Sequence, residues 1–367
     1  MGKLDFSFGS DPGTLRIIGF VTAFDFALTL LLLVLVLLMR CALLRRRRRR
    51  TRLLAVWQPI LVKAVENPTS DVPRLARRDL PEFLLLWNHL HESLLDESKN
   101  NLNQIANALS IGSSALRMLH RRSLRHRFVA IATLGQLGER AAWDELLSIT
   151  ERGKARVSLA AARALVMIDA PKAVPQLIPL LLTRTDWPPS RVAAMLQVAG
   201  AEAISSPIAD AAIKSAREEK LDGKPKAGVN IPARMVRYLE LAYNESALPA
   251  SRTIARLSSD PEVLAACLRL LESAEDLPII RENIGHEDWR VRVQAASALG
   301  RVGEDEDEQR LVSLLSDTEW WVRYRGAQAL SRLPSIDQAR LKTIQAGQAD
   351  PFARDILTQV MAEVELR

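Results

Sequence analysis

The sequence predicts an all-α protein, an α-solenoid of short helical repeats preceded by one N-terminal transmembrane helix. Three observations carry this. Residues 17–39 contain a single charge, Asp25, in otherwise apolar sequence. The stretch Arg40 to Arg52 that follows holds eight arginines and no acid. From about residue 118 onward, alanine-rich patterns return every 31 residues, and no alternating strand pattern of useful length intervenes. A fixed period of that size signals stacked repeats.

Taken in order, residues 1–16 form a short flank with Lys3 and Arg16 set against Asp5 and Asp11. The span 17–39 follows. At 1.5 Å per residue it reaches roughly 34 Å, enough for a hydrocarbon core of about 30 Å. A cleaved signal peptide would carry its basic residues before the apolar core, whereas here they lie after it. The positive-inside rule then places the N-terminus outside and everything past Arg40 in the cytoplasm, as a single-pass protein of the cell inner membrane.

Asp25 is costly inside such a span, about 2.5–3.5 kcal/mol at a helix centre and less toward the ends. Thr22, Asp25 and Thr29 fall on one helical face, with Gly19 just above. Either the carboxyl protonates or reaches interfacial water, or the polar stripe packs against another membrane helix. The second is favoured, because a lone span has nowhere else to hide the group.

The arginine-rich segment 40–52 accounts for the basic character of the chain. The 367 residues carry 50 Lys+Arg against 43 Asp+Glu, a net charge of +7. Outside the segment 42 bases face 43 acids, so the remainder is not the basic surface a nucleic-acid binder needs. The block also lacks interleaved aromatics for stacking bases. Arg45, Arg46, Arg47, Arg48, Arg49 and Arg50 instead fit anionic lipid head groups, at about 1 kcal/mol per near-surface base.

Residues 53–117 are helical but off the repeat register. "LLAVWQPILVKAVE" and "DLPEFLLLWNHLHESLL" read as two amphipathic helices capping the solenoid. Residues 118–367 carry the repeats. In "WRVRVQAASALGRVG" (289–303) and "WWVRYRGAQALSRLP" (320–334), Trp289 and Trp320, Arg292 and Arg323, and Leu299 and Leu330 are each 31 apart. Arg354 lies 31 beyond Arg323, and Leu134 and Leu165 repeat the spacing upstream. Each unit pairs a short apolar helix with an alanine-rich one, and stacked units share one core. The period breaks between Val198 and Leu239, where "REEKLDGKPKAGVN" (217–230) reads as an inserted polar loop.

The run Val291 to Gly303, of the form V-R-x-x-A-A-x-A-L-G-x-x-G, and its weaker copies resemble the short bacterial HEAT repeats also found in phycobilin lyase-like proteins. The resemblance covers roughly residues 118–365, about seven units. It implies a solenoid whose second helices line a concave binding side. Anchored proteins of this kind resemble accessory subunits of envelope machinery, including membrane glycosyltransferases that make exopolysaccharide.

No catalytic constellation is legible. Cys41 and Cys267 are far apart and expected in the cytoplasm, which offers neither a disulfide framework nor a zinc pattern. His89 and His91, the only close histidine pair, point about 160° apart on a helix. The glycines of 135–138 and 300–303 read as helix terminators. The acidic run 304–308 reads as complementing a helix dipole. No nucleophile motif occurs. We therefore expect no cofactor, metal, small-molecule substrate or enzymatic activity.

What remains is surface. Arg290, Trp321 and Phe352 form one row at the repeat period, Gln294 and Arg325 a second, and Arg301 and Arg332 a third. Trp and Arg are the residues richest in interface hot spots. Arg290, Trp321, Arg325 and Gln294 are thus candidates for docking a protein partner, the alternative being that Trp pads the repeat interface and Arg bridges to turn carboxylates. For Arg292, Arg323 and Arg354 the structural role is favoured. The sequence reads as a membrane-anchored scaffold. Its rivals are a lyase-like enzyme or tetrapyrrole binder, which needs a polar cleft, and a nucleic-acid binder, which needs a basic face.

Overall fold

The computed structural model describes residues 12–66, 72–94, 96–222 and 230–365. Every regular element among them is helical, nineteen α-helices and three single 3-10 turns. They form two compact units, one ending at Val129 and the other beginning at Ala130.

The first unit is built from α1 (Pro12–Glu66), α2 (Leu80–Glu92), α3 (Asp96–Ala108), α4 (Ile111–Leu119) and the first residues of α5 (Leu124–Leu137). Helix α1 is 55 residues long. Its apolar part has a mean hydropathy of 2.7, is not buried against the protein, and is long and apolar enough to cross a membrane. The arginine segment continues the helix without a break, since arginine is nearly as good a helix former as leucine. Beyond it α1 becomes amphipathic. Leu53, Trp57, Leu61 and Ala64 recur at helical spacing and are buried. The Trp57 ring meets Phe83 of α2 edge-on at 4.7 Å. Residues 53–66 are therefore no separate cap helix. The mixed polarity of the stretch suggests a new element, but good helix formers on both sides of the charge block carry the old one on, and it continues through Pro59. Helix α3, which the sequence reading passed over, is held to the end of α1 by the Asn101 side-chain amide, which donates to the Val65 carbonyl at 3.1 Å.

The second unit continues through α6 (Trp143–Arg152), α7 (Ala155–Ile168), α8 (Ala170–Thr183), α9 (Pro189–Ala199), α10 (Ala201–Asp222), α11 (Ile231–Leu239) and α12 (Asn244–Leu257). It is completed by α13 (Pro261–Leu270), α14 (Leu277–Glu282), α15 (Trp289–Val302), α16 (Glu308–Leu314), α17 (Trp320–Leu330), α18 (Gln338–Ala346) and α19 (Pro351–Glu365). The odd-numbered helices from α7 to α19 pack side by side in one row, while α8, α10, α12 and α14 form a second. Each even-numbered helix also packs on the odd-numbered one that follows it. This is the two-layer stacking that a 31-residue helix pair produces. Leu134, Leu165, Leu299 and Leu330 are all fully buried, as their shared register requires.

Two expectations need correction. Helix α10 runs through Asp222, so residues 217–222 are helix and not loop. The stretch is rich in Glu and Lys, good helix formers, and Lys214 pairs with Glu218 one turn on at 3.9 Å. Residues 223–229 of the expected loop lie outside the described residues. The second correction concerns glycine. Of the four glycines in 135–138 and 300–303, Gly138 ends its helix with a left-handed φ of +66° and Gly303 ends α15 at a φ of −64°, while Gly135 and Gly300 sit inside α5 and α15. There a Cβ would come within 2.8 Å of the Ala164 Cα and 2.9 Å of the Ala329 Cα, respectively. These glycines permit the helices of one row to touch backbone to backbone.

Candidate interaction surfaces

Within the second unit the arginine ladder is structural. Arg292 donates to the His286 carbonyl at 2.8 Å, Arg323 to that of Asp317 at 2.7 Å, and Arg354 to that of Gln348 at 3.3 Å. Each reaches back six residues to the turn before its own helix. Arg292 also grips the Asp317 carboxylate of the next unit at 2.7 and 2.8 Å. Burial opposes the ionised form of Asp317, but Arg292 and the Glu319 amide outweigh it and hold the carboxyl below its usual range. Arg301 is likewise engaged, donating to the carbonyls of Leu268, Arg269 and Leu271 at the end of α13 at 2.9–3.1 Å. It therefore satisfies a helix terminus and does not form a free row with Arg332.

The acidic run 304–308 is organised by an arginine. Asp307 is fully buried, and Arg281 of α14 grips it at 2.8 and 2.9 Å while also reaching Glu304 and Glu306 at the surface. Its equivalent 31 residues earlier, Asp276, is also fully buried and paired with Arg252 of α12. Composition gave no hint of this device, because each arginine lies more than twenty residues from its carboxylate.

Apart from Tyr243 ahead of α12, the exposed aromatic residues described in the second unit lie on α15, α17 and α19. Trp187 is core, but Trp289, Trp320, Trp321 and Phe352 are exposed, Trp321 by 51% and Phe352 by 66%. On α17 the Trp320 ring stacks on Tyr324 at 5.1 Å, and Trp321 stands edge-on to Trp320 at 4.6 Å. Arg323 lies 5.7 Å over the Phe352 ring. Tyr324 was not singled out from the sequence; its place four residues after Trp320 was the available signal.

The arginines beside this cluster are held on their own helices. Arg290 closes on Asp288 at the start of α15 with contacts of 3.0 and 2.6 Å, and its hydrogen bond draws the Asp288 carboxyl down to about 2. Arg325 donates to the Gln328 side chain at 2.7 Å and sits 5.9 Å from the Tyr324 ring. Gln294 is half-buried on α15. The residues facing outward are thus the aromatic ones, with Arg290 and Arg325 at their margin.

In α1, Thr22, Asp25 and Thr29 are exposed, and the Thr29 hydroxyl donates to the Asp25 carbonyl at 2.7 Å. Of the arginine block, Arg49 shares the stripe of Leu53 and Trp57 and pairs with Asp79 ahead of α2. Arg45, Arg47, Arg48 and Arg50 are exposed. The Arg46 side chain lies outside what the structure describes.

A family model for HEAT repeats matches residues 114–196, 250–331 and 277–361, together just over half of the chain. No curated protein matches the sequence. Among solved structures, the crystal structure of Kap121p aligns at 12% identity over 81% of this chain and 38% of its own, with a TM-score of 0.48. The chain thus spans less than two fifths of that protein. An engineered protein aligns at 17% identity over 83% of this chain and 98% of its own, with a TM-score of 0.25.

Proposed function

Because the chain belongs to the HEAT-repeat family, we propose that it is a non-catalytic scaffold, anchored in the cell inner membrane by α1, whose repeats hold a protein partner on the cytoplasmic side. The observation that carries this reading is the aromatic cluster on α17. A surface that leaves Trp289, Trp320, Trp321 and Phe352 exposed within three neighbouring helices forgoes the burial of its most apolar groups. Contiguous exposed apolar surface of this kind marks a docking site. The fold is one used for protein interaction, and the partner belongs to an envelope complex. The arginines flanking the span add attraction to anionic lipid head groups, and they set the N-terminus outside.

The test is Trp321→Ala in the full-length chain. Proteins that co-purify with the wild type from gently solubilised membranes should be lost, with affinity falling at least about 30-fold, the 2 kcal/mol of a hot spot. The thermal midpoint should move little, because half of the side chain is already in water. A sharp drop in midpoint with partner recovery intact would refute this surface as the docking site.

A further inference from the structure

Asp25 and the arginines past the membrane boundary lie on one side of α1. At 100° per residue, Asp25, Thr29, Leu32, Val36, Arg40, Leu43, Arg47 and Arg50 fall within roughly 60° of a single line. The helix is continuous across all of them, so their alignment survives from the span into the cytoplasm. All eight are exposed, and no side chain of the described residues pairs with the Asp25 carboxylate or with the guanidinium groups of Arg40, Arg47 and Arg50. Among the described side chains of the block, Arg49, on another face, is the one that the protein uses for itself, against Asp79.

An acidic side chain within a span pairs with an opposite charge or lines a polar interior. A second copy of this chain is a poor occupant. Parallel packing along this stripe would set Asp25 against Asp25 and each of the three arginines against its duplicate, like charges over some 35–40 Å of helix. We infer that this stripe docks a transmembrane helix of another protein, one carrying a basic side chain opposite Asp25 and carboxylates opposite Arg40, Arg47 and Arg50. This rests on the reading of α1 as a membrane span. The two charge patches lie roughly 22–37 Å apart along the helix, so together they fix the depth and direction of the partner. Neither could do so alone.

The experiment uses the full-length chain in phosphatidylcholine vesicles, labelled with a donor fluorophore at Cys41. That thiol is exposed and lies about 160° around the helix from Asp25, away from the stripe. Cys267 is buried and its thiol is pushed up to about 12, so it stays unlabelled. The probe is a synthetic leucine/alanine helix with one lysine at the depth of Asp25, four glutamates beyond the boundary and an acceptor fluorophore. Energy transfer should report binding at least tenfold tighter than for a probe with leucine in place of the lysine. Both Asp25→Leu and Asp25→Asn should abolish that preference, and Arg47→Gln should weaken binding only of probes that carry the glutamates. Equal binding of the two probes overturns the inference, as does an undiminished preference in Asp25→Asn. So does energy transfer between copies of this chain that disappears in Asp25→Leu, which would make a second copy the occupant. Failure of the anchor is read separately: carbonate would release the chain from its vesicles. A chain that stays in the membrane but ignores the lysine leaves the anchor standing and only this inference fallen.

Discussion

Replacing Gly300 by alanine tests the repeat packing that spaces the exposed aromatic residues. A Cβ added there would lie 2.9 Å from the Ala329 Cα and 3.0 Å from its Cβ, against the 3.5–4.0 Å at which carbons attract. The first obstacle is backbone and cannot rotate away, so α15 and α17 must separate by about half an ångström or more. Overpacking of this kind costs about 1–3 kcal/mol, and the higher helix propensity of alanine returns about 1. With a rigid obstacle the upper part of the range applies, and a net loss of about 1–2 kcal/mol follows. Gly135→Ala, facing the Ala164 Cα at 2.8 Å, should behave alike. Gly285→Ala is the control, since nothing lies within 4 Å of its Cβ and its φ is not positive; it should leave stability unchanged or raise it by about 0.4–1 kcal/mol. Urea unfolding followed by circular dichroism reads all three as shifts of the midpoint at constant slope. If Gly300→Ala is as stable as the wild type, the two helices do not touch there and the close-packed row is wrong.

Two further predictions concern charge. Asp307→Ala should destabilise the second unit by about 3 kcal/mol in the same assay, because it strips the half-buried Arg281 of its central partner while Glu304 and Glu306 remain; a loss below about 0.5 kcal/mol would show that the pair is incidental. On acidification, the carboxyls of Asp288, Asp307 and Asp317 are held below their ordinary values, so the stability they give is fully present above about pH 4 and is lost as pH falls through their folded-state values, which for Asp288 is about 2. The share of Asp288 is about 1 kcal/mol once the exposure of Arg290 is allowed for. Arg290→Ala should therefore flatten the decline of the urea midpoint between pH 4 and 2, and an unchanged slope would remove Asp288 from the account.

What the sequence determined by itself was whatever is written within one helix or one period. Hydropathy over 17–39 and the arginines after it mark α1 as able to cross a membrane, because burial in lipid depends on local composition. The spacing of Leu299 and Leu330 announced stacked helix pairs, because each unit must place its leucine in the same shared core. The tertiary structure decided which charges are spoken for. Arg301 looked like a surface residue until its partners, the carbonyls at the end of α13, appeared some thirty residues away. Asp307 looked like one of five acids until Arg281 arrived from α14, in the preceding repeat. Gly300 looked like a stop signal, yet it lies where Ala329 of the next unit leaves no space for a side chain. In each case the deciding atom belongs to a neighbouring repeat. The 31-residue period says that such a neighbour exists, but only the packed helices say which of its atoms is within reach.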